Sequence, residues 1–374
     1  MPAETDSLPG AKPSLWRPSA FGDLPELPLI GASDVLPVQR GMDLWDCWPL
    51  QHEDGRTVSR DGRQWWFFLS APQFPDPVDR HAEARIRLMA RDGDGWHDLG
   101  PVLDPATTPG SREWAGSAVL MDEGAAVTLF FTAAGRRGGA FTYEQRLFAA
   151  DGRFGPAGPA GWDVPREIVR ADGVRYFRGE QREGGPGKIK GFRDPAWFRD
   201  PQSGNRHLLF TASKPESGHS HDGLIGNATL REGAWELGDP LVDAVGVNNE
   251  MERPHIVLRG GLYYLFWSTQ RSVFAPGAVA GPTGLYAMVA EAVAGPWRPV
   301  NGSGLVACTP AAEPSQSFSW WVTGEDEVWS FVDHWGLAGR SLTDHPELLR
   351  RQFGGCPAPV FRLHFSGDRV SVKA

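Results

Sequence analysis

Short apolar and aromatic segments, separated by many turn-forming residues, constrain the fold of this chain more than any other feature. Typical segments are QWWFFLS, AVTLFFTA, RHLLFTAS, PHIVLRGGLYYLFWST and GLYAMVAEA. Aromatic and β-branched residues favour strands, and the 46 Gly and 32 Pro among 374 residues mark turns between them. Long helical periodicity is nearly absent, and only HPELLRRQF is predicted to form a short helix. The sequence therefore predicts an all-β protein.

A weak internal repeat makes this prediction more specific. Three segments share the order strand, turn, Gly-rich step and tryptophan, and they end at Trp96, Trp235 and Trp297. The first interval is about twice the second, which indicates a repeating unit of roughly 60–70 residues. About five such units fill the chain. This period predicts a β-propeller, in which four-stranded sheets are arranged radially around an axis.

Three acidic motifs recur at about the same spacing as these tryptophans: WDCWP at 45–49, FRDP at 192–195 and EMERPH at 250–255. Each motif places a carboxylate beside an arginine or a tryptophan, within or next to an apolar stretch. A carboxylate in such a place is costly to desolvate unless it is used, so the motifs are candidate functional sites. On a propeller the three acids meet at the central axis from three blades. Paired carboxylates flanked by aromatic rings are what cleavage of a bond between two sugars requires.

Composition and charge exclude several classes of partner. The formal net charge is −9 and no basic patch stands out, which argues against nucleic acid. No apolar run approaches the length needed to cross a bilayer, so no membrane partner is predicted. The first twenty residues lack the pattern of a secretory signal, which leaves a cytoplasmic location, an unusual export route or a processed chain open. No linker divides the chain, and the Gly-, Pro- and Arg-rich segment 150–190 is predicted to be a loop insertion near the site.

Five motifs, in the order of the family, resemble glycoside hydrolase family 68, the levansucrases, inulosucrases and bacterial β-fructofuranosidases. They are WDCWPLQ, EWAGSA, FRDP, EMERPH and FGGCPAPV. The resemblance implies a five-bladed β-propeller with a central, funnel-shaped acidic pocket. We therefore expect a single catalytic domain over residues 1–374, in which residues 1–39 form an N-terminal extension that packs on the propeller.

The resemblance also implies a role for each of the three acids. Asp46 is expected to be the nucleophile that attacks the anomeric carbon of the fructosyl unit of sucrose. Glu252 is expected to protonate the departing glucose oxygen, and then to act as the base that activates water or an acceptor hydroxyl. Asp194 is expected to hold the fructosyl hydroxyls and to stabilise the oxocarbenium-like transition state. In a retaining mechanism of this kind the two reacting carboxyl groups lie about 5–5.5 Å apart.

Other motif residues are predicted to bind the sugars, because arginine offers a rigid fork of donors and tryptophan an apolar face. These predicted substrate-binding residues are Trp45, Trp114, Arg193, Glu250, Arg253 and Gln270. Glu250 and Glu252, two apart on a strand, are expected to share a face, with Arg253 on the other. Gln270, or Arg271 if the loop is shifted by one, stands where polymer-forming relatives carry an arginine or histidine that grips the glucose or acceptor.

Two departures from the family pattern bear on the site. Ala115 follows Trp114, where many members have a serine that hydrogen-bonds the nucleophile. Its loss is expected to raise the pKa of Asp46 or to leave the orientation of that carboxylate to other neighbours. Asn249 replaces an aspartate that binds calcium in some relatives, so we predict no structural calcium, no other metal and no cofactor.

Several further residues are predicted to be structural. Asp200 lies in a second RDP tripeptide and is expected to form an Asx-type turn. His255 is expected to be a structural hydrogen-bonding residue. Cys47, Cys308 and Cys356 form no zinc or redox motif and are expected to be buried thiols. A disulfide between the last two is the alternative if the protein is secreted.

The predicted function is a sucrose-cleaving β-fructosyltransferase that transfers fructose to sucrose, to fructan or to water. Three alternatives stay open: a mainly hydrolytic β-fructofuranosidase, an inverting arabinanase-like glycosidase, and a non-catalytic fructan-binding propeller. An inverting enzyme would hold its carboxyl groups about 6.5–9.5 Å apart, and a binding module is expected to have lost one of the three acids. Product length, β-2,6 or β-2,1 linkage, preferred acceptor and oligomeric state are not fixed by the sequence. The family suggests an extracellular enzyme, although no signal peptide is visible.

Overall fold

Five consecutive, mainly antiparallel sheets make up the computed structural model, which describes residues 12–184 and 188–373. The short strand β1 (Ser14–Leu15) precedes the first sheet and is not part of it. The first sheet comprises β2 (Met42–His52), β3 (Ser59–Arg60), β4 (Arg63–Pro72), β5 (Arg85–Asp92) and β6 (Gly95–Pro101). The second sheet comprises β7 (Arg112–Met121), β8 (Ala126–Ala134), β9 (Gln145–Gly155), β10 (Gly158–Ala160) and β11 (Arg166–Val169). The third comprises β12 (Phe192–Arg199), β13 (Arg206–Ser213), β14 (Gly223–Arg231), β15 (Ala234–Leu237) and β16 (Val242–Asp243).

The remaining two sheets complete the chain. The fourth comprises β17 (Glu252–Arg259), β18 (Leu262–Thr269), β19 (Gly284–Ala290), β20 (Arg298–Pro299) and β21 (Leu305–Cys308). The fifth comprises β22 (Ser317–Val322), β23 (Glu327–His334), β24 (Phe353–Pro357), β25 (Phe361–Ser366) and β26 (Arg369–Val372). The helical segments are short: α1 (Asp122–Ala125), α2 (Leu348–Arg351), and 3-10 turns at Ala32–Asp34, Pro77–Ala82 and Arg271–Val273. The short helix predicted in HPELLRRQF is confirmed by α2.

The first strand of each sheet lies at the centre of the molecule. These inner strands, β2, β7, β12, β17 and β22, contact one another in this order, and β22 contacts β2, so the ring closes. A short parallel pairing of β2 with β7 also joins the first two sheets. The closing motif FGGCPAPV lies on β24, which packs on β2, and a Cβ at Gly355 (φ 56°) would lie 2.6 Å from Asp43 Oδ1. The predicted five-bladed β-propeller is confirmed.

Aromatic side chains fill the spaces between and within the blades. Twelve of the 16 tryptophans are buried, and Trp65, Trp66, Trp267 and Trp320 are fully so, which indicates that most of them serve packing. A buried side chain of this size stabilises the fold by about 2–3 kcal/mol relative to an exposed one. The three tryptophans that end the sequence repeat lie at the outer strands of their blades. Trp96 is on β6, Trp235 is on β15, and Trp297 directly precedes β20.

Segment 150–190 departs from the prediction of a loop insertion. Its first part continues β9 and forms β10 and β11, which both pair with β9 as outer strands of the second blade. Outer strands pair on one side only, so they tolerate the Gly and Pro residues that suggested a loop. From Arg170 to Lys190, the described residues belong to no strand.

Part of the N-terminal extension contacts the third and fourth blades. β1 pairs in parallel with β16, and Trp16 is fully buried with its ring 5.1 Å from that of Trp267. Further along, the Leu27 backbone N–H donates to the Cys308 carbonyl. Residues 1–11 lie outside the described residues. No helix in the described ranges is long and apolar enough to cross a bilayer, and the three cysteines there are buried, free thiols.

Candidate active site

The five inner strands share one irregularity, which shapes the centre of the molecule. The pairing of β2 with β4 shifts register after Trp45, and the other four inner strands shift at the equivalent place. Such a bulge bends a strand and re-aims its side chains. We call the residues before each shift the wall positions: Trp45, Trp114, Arg193, Glu252 and Phe318. All five side chains line one central cavity.

The next residue on each strand occupies the bulge itself. These bulge positions are Asp46, Ala115, Asp194, Arg253 and Ser319. All except Ala115 have φ between 47° and 63°, a left-handed conformation that costs a non-glycine residue about 1–2 kcal/mol. In the second blade the next residue, Gly116, allows the close approach of the neighbouring strand, because a Cβ at this position would lie 1.9 Å from the Phe130 carbonyl oxygen. Strained backbone of this kind clusters at functional sites.

The cavity at the ring centre has a volume of about 480 Å³, which suits a small sugar. All nine residues predicted to be catalytic or substrate-binding line it: Asp46, Asp194, Glu252, Trp45, Trp114, Arg193, Glu250, Arg253 and Gln270. Arg271, the alternative to Gln270, is directed elsewhere, since its guanidinium donates to the Ala280 carbonyl (3.3 Å). The fold therefore brings together side chains from four blades that are far apart in sequence.

Arg193 joins the acids of the third and fourth blades. Its Nη2 donates to Glu252 Oε1 (2.7 Å) and Glu250 Oε2 (3.2 Å), so both glutamates face Arg193. The strand alternation expected here was wrong, because Glu250 precedes β17 and Arg253 lines the same cavity as the glutamates. Its Nε lies 3.7 Å from Asp194 Oδ2. Burial alone would lower the pKa of Arg193, but the charges of the three carboxylates outweigh it and raise that pKa. Nη1 is buried and finds no hydrogen-bond partner in the described part of the chain.

Burial raises the pKa values of two further carboxyl groups of the cavity, Asp194 and Glu250. Asp194 Oδ2 accepts from Thr211 Oγ1 (3.1 Å) and from the backbone N–H of Arg253 (3.2 Å). Burial raises the pKa of Asp194 to about 7, against the lowering effect of the Arg193 charge. Burial likewise raises the pKa of Glu250 to about 7. A cavity with such carboxyl groups can hold protonated and ionised acids together, which acid–base chemistry needs.

Asp46 depends on residues from two other blades. Burial raises the pKa of Asp46, whereas the Arg253 charge and a hydrogen bond with Ser319 lower it. Arg253 donates from Nη1 to Ser319 Oγ (2.8 Å) and from Nη2 to the Cys47 carbonyl (2.6 Å). Burial is the main cause of the raised pKa of Asp46, so the shift does not test the effect expected from the missing serine at position 115. The hydroxyl that position 115 lacks is provided by Ser319 of the fifth blade.

One wall of the cavity was not predicted, the turn Pro77–Ala82 between β4 and β5. Arg80 on this turn is buried, and its guanidinium lies 5.3 Å from the Trp45 ring and 4.5 Å from the Phe353 ring. Its Nε has no hydrogen-bond partner within residues 12–184 and 188–373. A charged side chain between two predicted strands carries no periodic signal, so Arg80 could not be singled out from sequence.

His81 stands beside Arg80 on the same turn. Its Nδ1 lies 3.0 Å from the Val78 carbonyl oxygen, so this nitrogen carries the proton and Nε2 is an acceptor. Burial lowers the pKa of His81 to about 3, which keeps the ring neutral. The Trp114 indole N–H donates to the His81 carbonyl (3.4 Å), so the turn also supports a wall position.

Two residues predicted to be structural are confirmed as such. The Asp200 carboxylate accepts from the backbone N–H groups of Gln202 (3.0 Å) and Ser203 (3.2 Å), which is an Asx-type turn. His255 Nε2 accepts from the Val322 backbone N–H (2.9 Å) and so ties the fourth blade to the fifth. Burial lowers the pKa of His255 to about 3, and the neutral ring matches this role.

The surroundings of Asn249 suit an ammonium group better than a metal ion. Lys190 Nζ donates to the Ser220 carbonyl (2.6 Å) and lies 2.8 Å from Asp222 Oδ2 and 3.4 Å from Asn249 Oδ1. The lysine charge thus already balances the nearby carboxylate. Across the described ranges, no group of three or more His, Cys, Asp or Glu side chains could hold a metal ion. The absence of a structural calcium stays a prediction.

Comparison with known proteins identifies the family. The family model described as levansucrase/invertase, glycoside hydrolase family 68, matches residues 26–228 and 218–374. A levansucrase from Rahnella aquatilis is 30% identical over 380 residues, which cover 88% of this chain and 86% of that protein. An extracellular sucrase from Zymomonas mobilis is 29% identical over 92% of this chain and 87% of its own length. 

A solved structure agrees with both the fold and the sequence match. An inulosucrase from Halalkalicoccus jeotgali, bound to kestose, superposes with a TM-score of 0.86 and 38% identity, over 96% of this chain and 95% of that one. The five-bladed ring, the shared cavity and these matches lead to one conclusion: the chain belongs to the levansucrase/invertase family, glycoside hydrolase family 68.

Proposed function

We propose that this protein is a sucrose-cleaving β-fructosyltransferase of the levansucrase type, and that the whole chain acts as one catalytic unit. One observation carries the proposal: three carboxyl groups from three blades, Asp46, Asp194 and Glu252, line a single sugar-sized cavity together with Arg193. The names of the relatives, a levansucrase and an inulosucrase bound to kestose, support sucrose and fructans as the substrate class. The sucrase relative named extracellular supports action outside the cell.

The first half of the proposed reaction breaks the bond between the two sugars. An Asp46 carboxylate oxygen attacks the anomeric carbon of the fructosyl unit, and the bond from that carbon to the glucosyl oxygen breaks. Glu252 gives its proton to this oxygen, so glucose leaves neutral and a fructosyl ester of Asp46 remains. Asp194 faces the developing positive charge on the ring and binds its hydroxyls. Arg193, which lines the cavity beside both glutamates, adds a positive charge and donors to the sugar site.

The second half passes the fructosyl group on. Glu252, now a carboxylate, takes the proton of water or of an acceptor hydroxyl, and that oxygen attacks the anomeric carbon. The ester bond breaks and Asp46 leaves as a carboxylate. Water yields fructose, and a sugar acceptor yields a fructan or oligosaccharide. A mainly hydrolytic β-fructofuranosidase uses the same site, and the two differ only in how the ester partitions.

A time course of sugars released from sucrose tests the proposal. We expect free glucose in excess of free fructose, because part of the fructose is transferred. Asp46→Asn is expected to slow glucose release by on the order of 10⁴-fold, since the nucleophile is lost. Asp200→Asn is the matched control, because Asp200 serves a turn in the second RDP tripeptide, and it should retain activity. Equal amounts of the two sugars would indicate hydrolysis instead, and untouched sucrose would refute the proposal.

A further inference from the structure

The connection between β18 and β19, residues 270–283, lies between the catalytic cavity and the N-terminal extension. On one side, Gln270 and Val273 line the cavity. On the other side, Phe274 is buried against Trp16 of the extension, with ring centroids 5.8 Å apart. The mechanism proposed above uses neither Trp16 nor Phe274, so this contact between the extension and a lining segment of the cavity has no assigned role.

The extension is firmly anchored where it meets this connection. Trp16 is fully buried, and its indole N–H donates to the Ser303 carbonyl of the fourth blade (2.9 Å). The neighbouring Arg17 forms an ion pair with Asp243 of the third blade (3.0 Å). Because close-packed interiors transmit displacements rather than absorb them, an anchored ring at this place can hold the connection in one position.

Phe21, further along the extension, packs on the connection directly. Its half-buried ring lies 6.3 Å from that of Phe274, edge to face at 88°, and 6.0 Å from that of Tyr286. The backbone of the connection also approaches this ring closely, because a Cβ at Gly281 would lie 2.7 Å from Phe21 Cζ. The extension therefore contacts the connection at two places, Phe274 and Gly281.

On its cavity side, the connection positions two polar side chains. Within the described ranges, the side-chain amide of Gln270 has one hydrogen bond, from Ser272 Oγ to its oxygen (3.3 Å), so its nitrogen can donate to a sugar hydroxyl. The Val273 carbonyl accepts from the backbone N–H of Asn249 (3.0 Å), the residue before Glu250. A shift of the connection therefore moves Gln270 directly and Glu250 through the backbone.

We propose that Trp16 and Phe21 are positioning residues, through which the N-terminal extension holds Gln270 in place for the acceptor sugar. The proposal rests on the function proposed above and adds to it a determinant of how the fructosyl ester is shared between water and sugar acceptors. Neither aromatic residue is among those that line the cavity, so each acts through the connection. A sugar acceptor must be bound and oriented, whereas water needs little of either, so a loosened connection favours hydrolysis over transfer.

The ratio of transferred to free fructose during sucrose cleavage tests this inference. We expect Phe21→Ala to lower the ratio by about threefold, the size of one edge-to-face aromatic contact. Gly281→Ala should lower it as well, because the added methyl group pushes the connection away from the Phe21 ring. Leu15→Ala, which trims an exposed side chain of the same extension, is the matched control and should leave the ratio unchanged.

Combination with Gln270→Ala distinguishes positioning from a general loss of stability. If Phe21 acts through Gln270, Phe21→Ala should change the ratio by less than about 1.5-fold in the Gln270→Ala protein, since the group that it positions is gone. A ratio that Phe21→Ala leaves unchanged in the wild-type background, or lowers about threefold again in the Gln270→Ala background, would overturn the inference.

Amide hydrogen exchange provides a measurement that needs no substrate. The Asn249 N–H, which is bonded to the connection, should exchange about threefold faster in Phe21→Ala than in Leu15→Ala. Equal exchange in the two variants would also overturn the inference. Failure of the wild-type protein to cleave sucrose, or release of equal amounts of glucose and fructose, would instead contradict the proposed function, and the exchange rates would still decide the inference.

Discussion

Arg193 and Arg253 are two buried arginines beside the same acids, yet they differ in their partners. Arg193 occupies a wall position, and its guanidinium contacts three carboxylates inside the cavity. Arg253 occupies a bulge position one blade further on, and its guanidinium donates to the Cys47 carbonyl and to Ser319. The first therefore balances the charge of the site, whereas the second joins blades through neutral groups.

This contrast shows that two adjacent residues on each inner strand, at the wall position and the bulge position, have different roles. Wall positions present side chains to the sugar, and bulge positions either supply a carboxylate from strained backbone or tie neighbouring strands together. Asp46 and Asp194 are equivalent bulge residues of the first and third blades, which explains why both reach the ring centre. If this division is correct, removing Arg193 should affect activity first, and removing Arg253 should affect stability first.

The largest expected effect follows from Arg193→Met. Two glutamates and Asp194 lose the arginine that contacts all three of them. Breaking a buried ion pair costs about 3–5 kcal/mol, which corresponds to a loss of roughly 10²–10⁴-fold in kcat/KM for sucrose if the whole cost raises the barrier of the reaction. The freed carboxyl groups can take up protons, so unfolding in urea should change less than for Arg253→Met. Arg199→Met, in the second RDP tripeptide on the same strand and partly exposed, is the control and should keep activity. Near-normal sucrose cleavage by Arg193→Met would show that Arg193 does not serve activity in the way that distinguishes it from Arg253.

The next effect concerns the stability of Arg253→Met. The carbonyls of Cys47 and Ser319 lose a buried donor, which we expect to lower the free energy of unfolding by about 2–4 kcal/mol in urea titrations. The Arg253 charge also lowers the pKa of Asp46, so the acid limb of the kcat/KM profile should move to higher pH in this variant. A variant as stable as the wild type, with an unchanged pH profile, would show that Arg253 has neither role.

A smaller effect is expected for the pH dependence of stability. Burial raises the pKa of Glu250 from its ordinary value of 4.5 to about 7 in the folded protein. Its protonated form therefore stabilises the fold below pH 4.5, and this contribution is lost as the pH rises through about 7. Glu250→Gln should accordingly raise Tm relative to the wild type by about 3 °C more at pH 8 than at pH 5. The exposed Glu236→Gln is the control, and a pH-independent difference for Glu250→Gln would contradict the account.

The smallest expected effect is that of metal removal. The Lys190 ammonium already neutralises Asp222 next to Asn249, so a divalent ion has no charge left to balance. We expect EDTA and added calcium each to leave Tm unchanged within about 1 °C. A fall in Tm with EDTA that calcium reverses would show that a metal site exists despite the lysine.

The sequence predicted the chemistry of the site better than its backbone. Motif residues such as Asp46 and Glu252 could be found because carboxylates beside aromatic residues are unusual in apolar surroundings. The equivalence of the five bulges could not be predicted, because the residues at these positions (Asp, Ala, Asp, Arg and Ser) have no common chemical character. The bulge is a property of how two strands pair, which the sequence of one strand does not reveal. Ser319 was missed for the same reason. Arg80 was missed because the conformation of a turn between strands leaves no periodic trace in sequence.

The central claim, that Asp46 carries the fructosyl group, is tested most directly by trapping the ester. In Glu252→Gln, a fructosyl fluoride can still react, because fluoride leaves without a proton, but the ester persists because the base is missing. Mass spectrometry of the digested protein should then find one hexosyl unit on the peptide from β2, attached to Asp46. Absence of an adduct, or an adduct on Asp194, would contradict the account.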